Sequence, residues 1–576
     1  MCSSDLNLLN LSDNTPPQVI TVTPVSNQLV GSSLTVSGRI VDKSQILSAT
    51  VRIWQTNAPA VTNTVTGSFS GKDFSIPCFF TNTGEFCIQA RIQDSSGEWG
   101  EGLVIPVTVV NLPGGGMGAI PGGTGPAAGA TFRVWAPNAT WVSVAGTFNG
   151  WKKEVNHLAK EDGGYWAGFV PGVVDGDEYK YVIRNGENDI WRNDPFAREV
   201  TSSVGNSLVR NREYTWSPFS TPGHHETVIY ELHVKTWTEN IAGSGSRFAK
   251  VASKAGYLKD TLAVNAVKIM PAAEFPGDYS WGYNPAHPFA VESSYGGYTE
   301  YKNMVDTLHQ NGIAVIQDVV HNHYGPSDLD LWCFDGPDFG NGGIYFYTDG
   351  RKWTPWGDTR PDYGRGEVRS YIKDNAVYWV DEMNVDGLRW DATVYIHRIA
   401  YDQGEIPEGW TLLQWCNNEV YGKKPGALTI AEDLQNNDWI TKETGEGGAG
   451  FRSQWYADFL HTMRGQLKIT GDGDRDMYAL ASIIGKIDNG NHTRLVKYVE
   501  SHDECAGKNG KQRLIEDIWT GNARSYYSMK RASLGVLAAI FSPGIPMIFQ
   551  GQENLEWGNW DDTVNFSWND VTLFTQ

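Results

Sequence analysis

Val385-Asp386-Gly387-Leu388-Arg389-Trp390-Asp391-Ala392-Thr393 reads as a short buried strand that stops at Asp391. Arg389 stands two residues before Asp391, so on a strand of period two both side chains leave the same face. A cation in that place favours the ionised carboxylate near neutral pH. A positioned, ionised carboxylate is what a covalent nucleophile of this type has to be. Taken alone, the segment reads equally well as a structural ion pair at a strand end.

Three more segments share its form. Ile313-Ala314-Val315-Ile316-Gln317-Asp318-Val319-Val320-His321-Asn322-His323 is an apolar strand ending in Asp, Asn and His. Leu428-Thr429-Ile430-Ala431-Glu432-Asp433 ends in Glu, and Val496-Lys497-Tyr498-Val499-Glu500-Ser501-His502-Asp503-Glu504 ends in His-Asp. Four apolar strands therefore deliver polar residues at their C-terminal ends. In a (β/α)8 barrel those ends converge on the face that carries the active site. One such strand is a weak signal, and four in order are a strong one.

In this order the segments DVVHNH, GLRWD, AED and ESHD resemble the four signature regions of the α-amylase family of glycoside hydrolases and transglycosylases (family 13). The resemblance implies that Asp391 is the nucleophile, Glu432 the general acid/base and Asp503 a third carboxylate that grips sugar hydroxyls. It implies that Arg389 orients Asp391, that His323 and His502 bind the reacting sugar, and that Asp318 supports the pocket. Tyr283, in Trp281-Gly282-Tyr283-Asn284-Pro285, resembles the ring on which that sugar stacks. Retaining chemistry at a glycosidic bond needs one ionised and one protonated carboxyl about 5 Å apart, with their environments pushing the pKa values apart.

The rest of the chain agrees. Its 576 residues suffice for several domains. No run of about 18 apolar residues is present to span a membrane. A net charge of -20 argues against a nucleic-acid partner. The 23 Trp and 25 Tyr suit a chain that stacks on sugar rings, beside their use as core. The six cysteines lack metal-ligand spacing. Cys78 and Cys87 read either as a pair or as two free thiols.

Residues 1–16 are polar and unpatterned, and Met1–Leu6 reads as an adapter remnant in place of the native start. Short alternating strands over 17–111 predict an immunoglobulin-like β-sandwich. A Gly/Pro linker is expected over 112–130. A second β-sandwich over 131–219 resembles the family 48 carbohydrate-binding module. There Trp151, Trp166, Lys180 and Trp191 are either glucan contacts or packing residues. The barrel is expected over 226–576, with a Gly-, Asp- and Trp-rich insertion at 324–367 after strand three. Alternating helices and apolar strands are the mark of a parallel, doubly covered sheet. Only residues 554–576 follow strand eight, short for an eighth helix. The barrel thus reads as truncated at its C-terminus, with an apolar flank left in water and low stability as the consequence.

Within the family, plain endo-amylases carry Lys-His three and four residues after the nucleophile; here those positions hold Val394 and Tyr395. The module order and the Tyr230-Glu231-Leu232-His233 segment look more like glycogen branching enzymes and trehalohydrolases. The favoured expectation is a 1,4-α-glucan branching enzyme, which transfers a glucan from Asp391 to a 6-hydroxyl. The alternatives are a hydrolase, either an α-amylase or a maltooligosyl-trehalose trehalohydrolase, and a non-catalytic glucan-binding protein. The partner in every case is an α-glucan. No cofactor and no catalytic metal are expected. Asn322 with neighbouring carboxylates reads as a calcium ligand or as an ion-free pocket-lining side chain, the second being favoured.

Overall fold

The alternating strands of the first hundred residues form two facing sheets. The computed structural model describes residues 15–22, 27–29, 33–80, 84–110, 116–122, 128–336, 341–401 and 403–574; the expected adapter remnant and residues 112–115 and 123–127 of the expected linker lie outside these. One sheet orders Gln18–Val22, Ser33–Val41, Asp73–Phe79 and Ser68–Ser70. The other centres on Ile46–Gln55 and Gly84–Asp94. Val36, Ile76, Val51, Ile88, Ile92 and Val107 fill the space between them. Cys78 is buried, Cys87 is half-buried, and both are free thiols.

A second pair of sheets follows. The linker reading fails over Gly118–Gly122, which is a strand paired antiparallel with Gly129–Trp135. Gly and Pro weaken strand propensity, but a complete ladder with a neighbour overrides it. Phe132, Tyr179 and Tyr181 pack edge to face inside this sandwich. Trp166 is a packing residue, with its ring buried and Nε1 donating to the Ala136 carbonyl. Trp151 and Trp191 lie side by side at the surface, ring centroids 6.4 Å apart.

The chain forms two compact units: one up to Asp194 with Leu208–Asn211, the other Pro195–Ser207 with Arg212 onward. Much of 195–219, read as the end of the second sandwich, thus belongs with the barrel. The cause is contact with sequence-distant parts of the same unit: the Arg198 guanidinium forms a two-pronged pair with Glu382, and Phe196 packs on Phe289 and Tyr371.

The second unit holds a closed barrel of eight parallel strands: β1 (Ile229–Leu232), β2 (Ala266–Ile269), β3 (Ala314–Val319), β4 (Gly387–Trp390), β5 (Leu428–Ala431), β6 (Ser453–Trp455), β7 (Leu495–Lys497) and β8 (Ile545–Phe549). Residues of these strands are almost all buried, as expected where helices cover the outer face. The helix Gly297–Gln310 buries Tyr301, Met304, Val305 and Leu308, the stripe its spacing predicts. After β8 the chain supplies a helix at Trp568–Phe574, whose Trp568 ring meets Trp237 edge-on at 5.0 Å. On the flank formed by helices Met477–Gly485 and Tyr526–Phe541, Met477, Leu534 and Phe541 are exposed. Among its described residues, the insertion between β3 and the helix Gly366–Asp381 has little regular structure, and Arg360, fully buried, ties it down by donating to the Trp353 and Ile399 carbonyls.

Candidate active site

The C-terminal ends of the strands bring the sequence-predicted residues together. Asp391 directly follows β4, Glu432 directly follows β5, and His502 and Asp503 lie in the loop after β7. With Tyr283, His323, Trp281, Trp356, Tyr401 and Trp455 they line a pocket of ≈ 390 Å³, within the range of small-ligand sites. Asp318 and Arg389, also expected at the site, are fully buried and stand beneath its lining rather than in it.

Arg389 organises the centre. Its NH1 donates to Asp391 Oδ1 at 3.0 Å and to Asp318 Oδ1 at 2.9 Å. Its NH2 makes a 2.6 Å ion-pair contact with Glu432 Oε2, outside hydrogen-bond geometry. One guanidinium thus spans both carboxyls expected to react. Ala392, immediately after Asp391, has φ 38°, a strained value for a residue with a Cβ. The strain aims its N–H at Glu432 Oε2, 3.0 Å away. Asn322 turns its Nδ2 on Asp391, at 2.6 Å from Oδ2 and 2.8 Å from the backbone carbonyl. That contact uses the asparagine otherwise considered for calcium. Among the described residues no cluster of three or more His, Cys, Asp or Glu side chains is arranged to hold a metal.

The electrostatics correct one expectation. Arg389 was expected to hold Asp391 down, but burial, the larger effect, raises its pKa, with Arg389 and Asn322 opposing. Burial likewise raises Glu432, to about 8; Arg389 opposes it, and the charges of Asp391 and Asp503 add to it. Asp503 goes the other way. Burial would raise it, but His502, Arg389 and Lys511 outweigh that and hold it below the usual carboxylate range. Burial would also lower His502; Asp503 and Glu231 outweigh it and raise it to about 9.

His502 was expected to bind sugar. In the structure its Nδ1 meets Glu231 Oε1 at 2.7 Å and its Nε2 faces Asp503 Oδ2 at 3.3 Å, so both ring nitrogens are engaged by carboxylates. Its ring lies flat against Tyr283, centroids 4.9 Å apart. The Tyr283 hydroxyl donates to Asp318 Oδ2 at 2.6 Å, which fixes the phenol edge. His323, held neutral by burial with its pKa near 3, stacks on Trp356 at 4.8 Å. Tyr395, at one of the positions where the sequence departs from plain endo-amylases, meets Trp356 edge-on at 5.2 Å. Trp356 and Tyr401 at the wall, and Glu231 and Lys268 beneath the floor, were not singled out as site residues. The signal for the latter two was a charged residue within each of two otherwise apolar strands.

Residues 239–330 and 359–572 match the model of the alpha amylase catalytic domain, and the gap between them falls inside the insertion. Residues 116–197 match carbohydrate-binding module 48, the isoamylase N-terminal domain. The chain is 32% identical over 474 residues to a 1,4-alpha-glucan branching enzyme GlgB of Picrophilus torridus, covering 77% of this chain and 63% of that one. It is 31% identical over 485 residues to a GlgB of Oceanobacillus iheyensis, covering 76% and 71%. It thus spans less than two thirds of the first relative's length. A pullulanase of Anoxybacillus sp. LM18-11 complexed with maltotriose shares the fold at TM-score 0.65 and 20% identity, over 97% of this chain and 85% of that one. A putative alpha amylase from Salmonella typhimurium aligns at TM-score 0.61 and 25% identity, over 77% and 74%. With its strand-end motifs, its closed barrel and these matches, the chain belongs to the alpha-amylase family, its catalytic barrel preceded by a family 48 carbohydrate-binding module.

Proposed function

We propose that this protein is a retaining enzyme acting on α-1,4-glucosidic bonds, and that it transfers the cleaved glucan to a 6-hydroxyl as a 1,4-α-glucan branching enzyme. The observation that carries the reading is the grouping of Asp391 and Glu432 on one guanidinium with Asp503 beside them in the same pocket. The similarity to GlgB branching enzymes supports the choice of acceptor.

In this reading Asp391 attacks the anomeric carbon and Glu432 protonates the departing glycosidic oxygen. Asp391 receives side-chain donors from both Asn322 and Arg389. Glu432 receives one backbone donor and an unaligned contact. Donors aimed at the charged form favour it, so the proton shared by this repelling pair resides on Glu432. Once the glycosyl-Asp391 intermediate has formed, Glu432 is ionised and takes the proton from the incoming hydroxyl. Asp503, held ionised by His502, accepts hydrogen bonds from the sugar and balances the positive charge that develops on the ring.

Two measurements test this. Incubated with amylose, the protein should leave reducing ends flat until a debranching enzyme is added, when they rise. An immediate rise that debranching does not increase would overturn transfer in favour of hydrolysis. The pH dependence tests the acid. Glu432 works while protonated, and its pKa is raised to about 8. The kcat/KM for a maltooligosaccharide should therefore hold up to neutral pH and decline as pH rises through about 8. A rate still climbing at high pH would remove Glu432 from the acid role.

A further inference from the structure

Beneath the pocket lies a tier of charges that does not line it. Glu231 on β1, Lys268 on β2 and Asp318 on β3 are buried. Glu231 and Lys268 are partners in the β1–β2 ladder. Lys268 Nζ stands 2.9 Å from Glu231 Oε1 and 2.5 Å from Asp318 Oδ2. Glu231 also accepts from the backbone N–H of His502 at 3.1 Å and meets its Nδ1 at 2.7 Å, while the far side of that ring faces Asp503. At the other end, Asp318 accepts from the same Arg389 nitrogen that donates to Asp391. From Asp503 through His502, Glu231, Lys268, Asp318 and Arg389 to Asp391, the charge alternates in sign at every step.

We propose that Glu231 and Lys268 are positioning residues for the reaction assigned above: Glu231 acts through His502 on Asp503, and Lys268 acts through Asp318 and Arg389 on Asp391 and Glu432. Packing alone does not call for this pair. Two apolar side chains of similar volume would join β1 to β2 without taking two charges out of water, a replacement that is often neutral or stabilising. What an apolar pair would not do is fix a protonated imidazole against Asp503, or hold Asp318 in line with Arg389. The other titratable groups facing the pair are the phenols of Tyr283 and Tyr498. The aromatic ring of Trp455 lies 5.5 Å from Lys268 Nζ.

The two residues carry opposite charges, so their removal has opposite signs. Lys268→Met adds a net negative charge under Asp391 and Glu432, raises both, and moves both limbs of the pH–rate bell upward. Glu231→Gln subtracts one and moves the bell downward. Each shift is expected to be about one pH unit, the low end for a charge at contact distance, because each acts through a neighbour. The charge-balanced double variant returns the bell to its original place, and Lys268→Arg keeps it there. A purely structural role predicts loss of rate or stability with no opposed shifts and no return in the double variant. That result overturns the proposal.

The experiment measures kcat/KM against pH for glucan turnover in the wild type and these variants, beside thermal melts that report folding. A second measurement needs neither variants that fold nor turnover. The His502 imidazole of the wild type, followed by nuclear magnetic resonance, should stay protonated to about pH 9. Titration near its ordinary value breaks the chain of charge and overturns the proposal. A wild type that leaves glucan untouched would instead overturn the functional reading, with the imidazole titration still deciding this one.

Discussion

Asp391→Asn is expected to lower glucan turnover on the order of 10⁴-fold, the scale seen when one member of a catalytic unit is removed, or about 5 kcal/mol of barrier. The expectation follows from what the site can substitute. Arg389 is fully buried and keeps its pair with Asp318 when Asp391 loses its charge. The guanidinium is therefore not left uncompensated, and the variant should fold. Asn is close in shape to Asp, but it offers one oxygen where Asp391 offers two, so it keeps one of the bonds from Asn322 and Arg389 and turns its NH2 toward the other donor. What disappears is the nucleophilic charge together with one accepted hydrogen bond. A second consequence distinguishes this account from simple damage. Part of what raises Glu432 is the Asp391 charge. In Asp391→Asn the residual activity should decline at a lower pH than in the wild type. Combining Asp391→Asn with Glu432→Gln should cost little more than the first change alone, since both act on one bond-breaking event. A variant retaining about a tenth or more of wild-type turnover would remove Asp391 from the nucleophile role.

The strand ends were legible because each joins an apolar run to polar residues, and a parallel barrel sends such ends to one face. Asp391, Glu432, Asp503, His323 and His502 were found that way, Tyr283 only through the family resemblance of its loop, and the pocket gathers them. Glu231 and Lys268 were not. Each is one charged residue in an apolar strand, and period two cannot say whether it points to the barrel axis or to the helices. That depends on the register between neighbouring strands, which the ladder sets. Gly118–Gly122 was read as linker because its residues carry little strand propensity, and its order comes from a partner strand. Residues 195–207 were placed with the wrong unit for a related reason. Their anchor, Glu382, is 184 positions from Arg198, and no local pattern announces an ion pair across that separation. Burial had the opposite effect on the electrostatics. The Arg389–Asp391 spacing was correctly read as a contact, but the cost of desolvating a carboxylate outweighs one shared cation.

Glu432→Gln is expected to reduce glucan cleavage about 10²–10⁴-fold, the usual contribution of a positioned acid or base, and the loss should depend on the leaving group. With glucan the departing oxygen is an alkoxide unless it is protonated. With an α-maltosyl fluoride the departing fluoride needs no proton, so formation of the glycosyl-Asp391 intermediate should stay within about tenfold of wild type. The amide keeps the size of the carboxyl and can still accept the Ala392 N–H, which is 3.0 Å from Glu432 Oε2. The strained turn after β4 should therefore hold. The contact with Arg389 NH2 loses its charge, and Arg389 keeps Asp391 and Asp318 as partners. The carboxyl that Gln replaces is already protonated where Asp391 titrates, so the acid limb of the profile should stay in place. The alkaline limb expected near 8 and assigned to Glu432 should vanish with the fluoride as substrate. The dependence on leaving group and the lost alkaline limb separate an acid from a wall residue. A Glu432→Gln variant equally impaired on glucan and on the fluoride, with an unchanged alkaline limb, would assign the proton to another group. The half-buried Glu504, in the loop that carries Asp503, would then be the next carboxyl in the pocket to test.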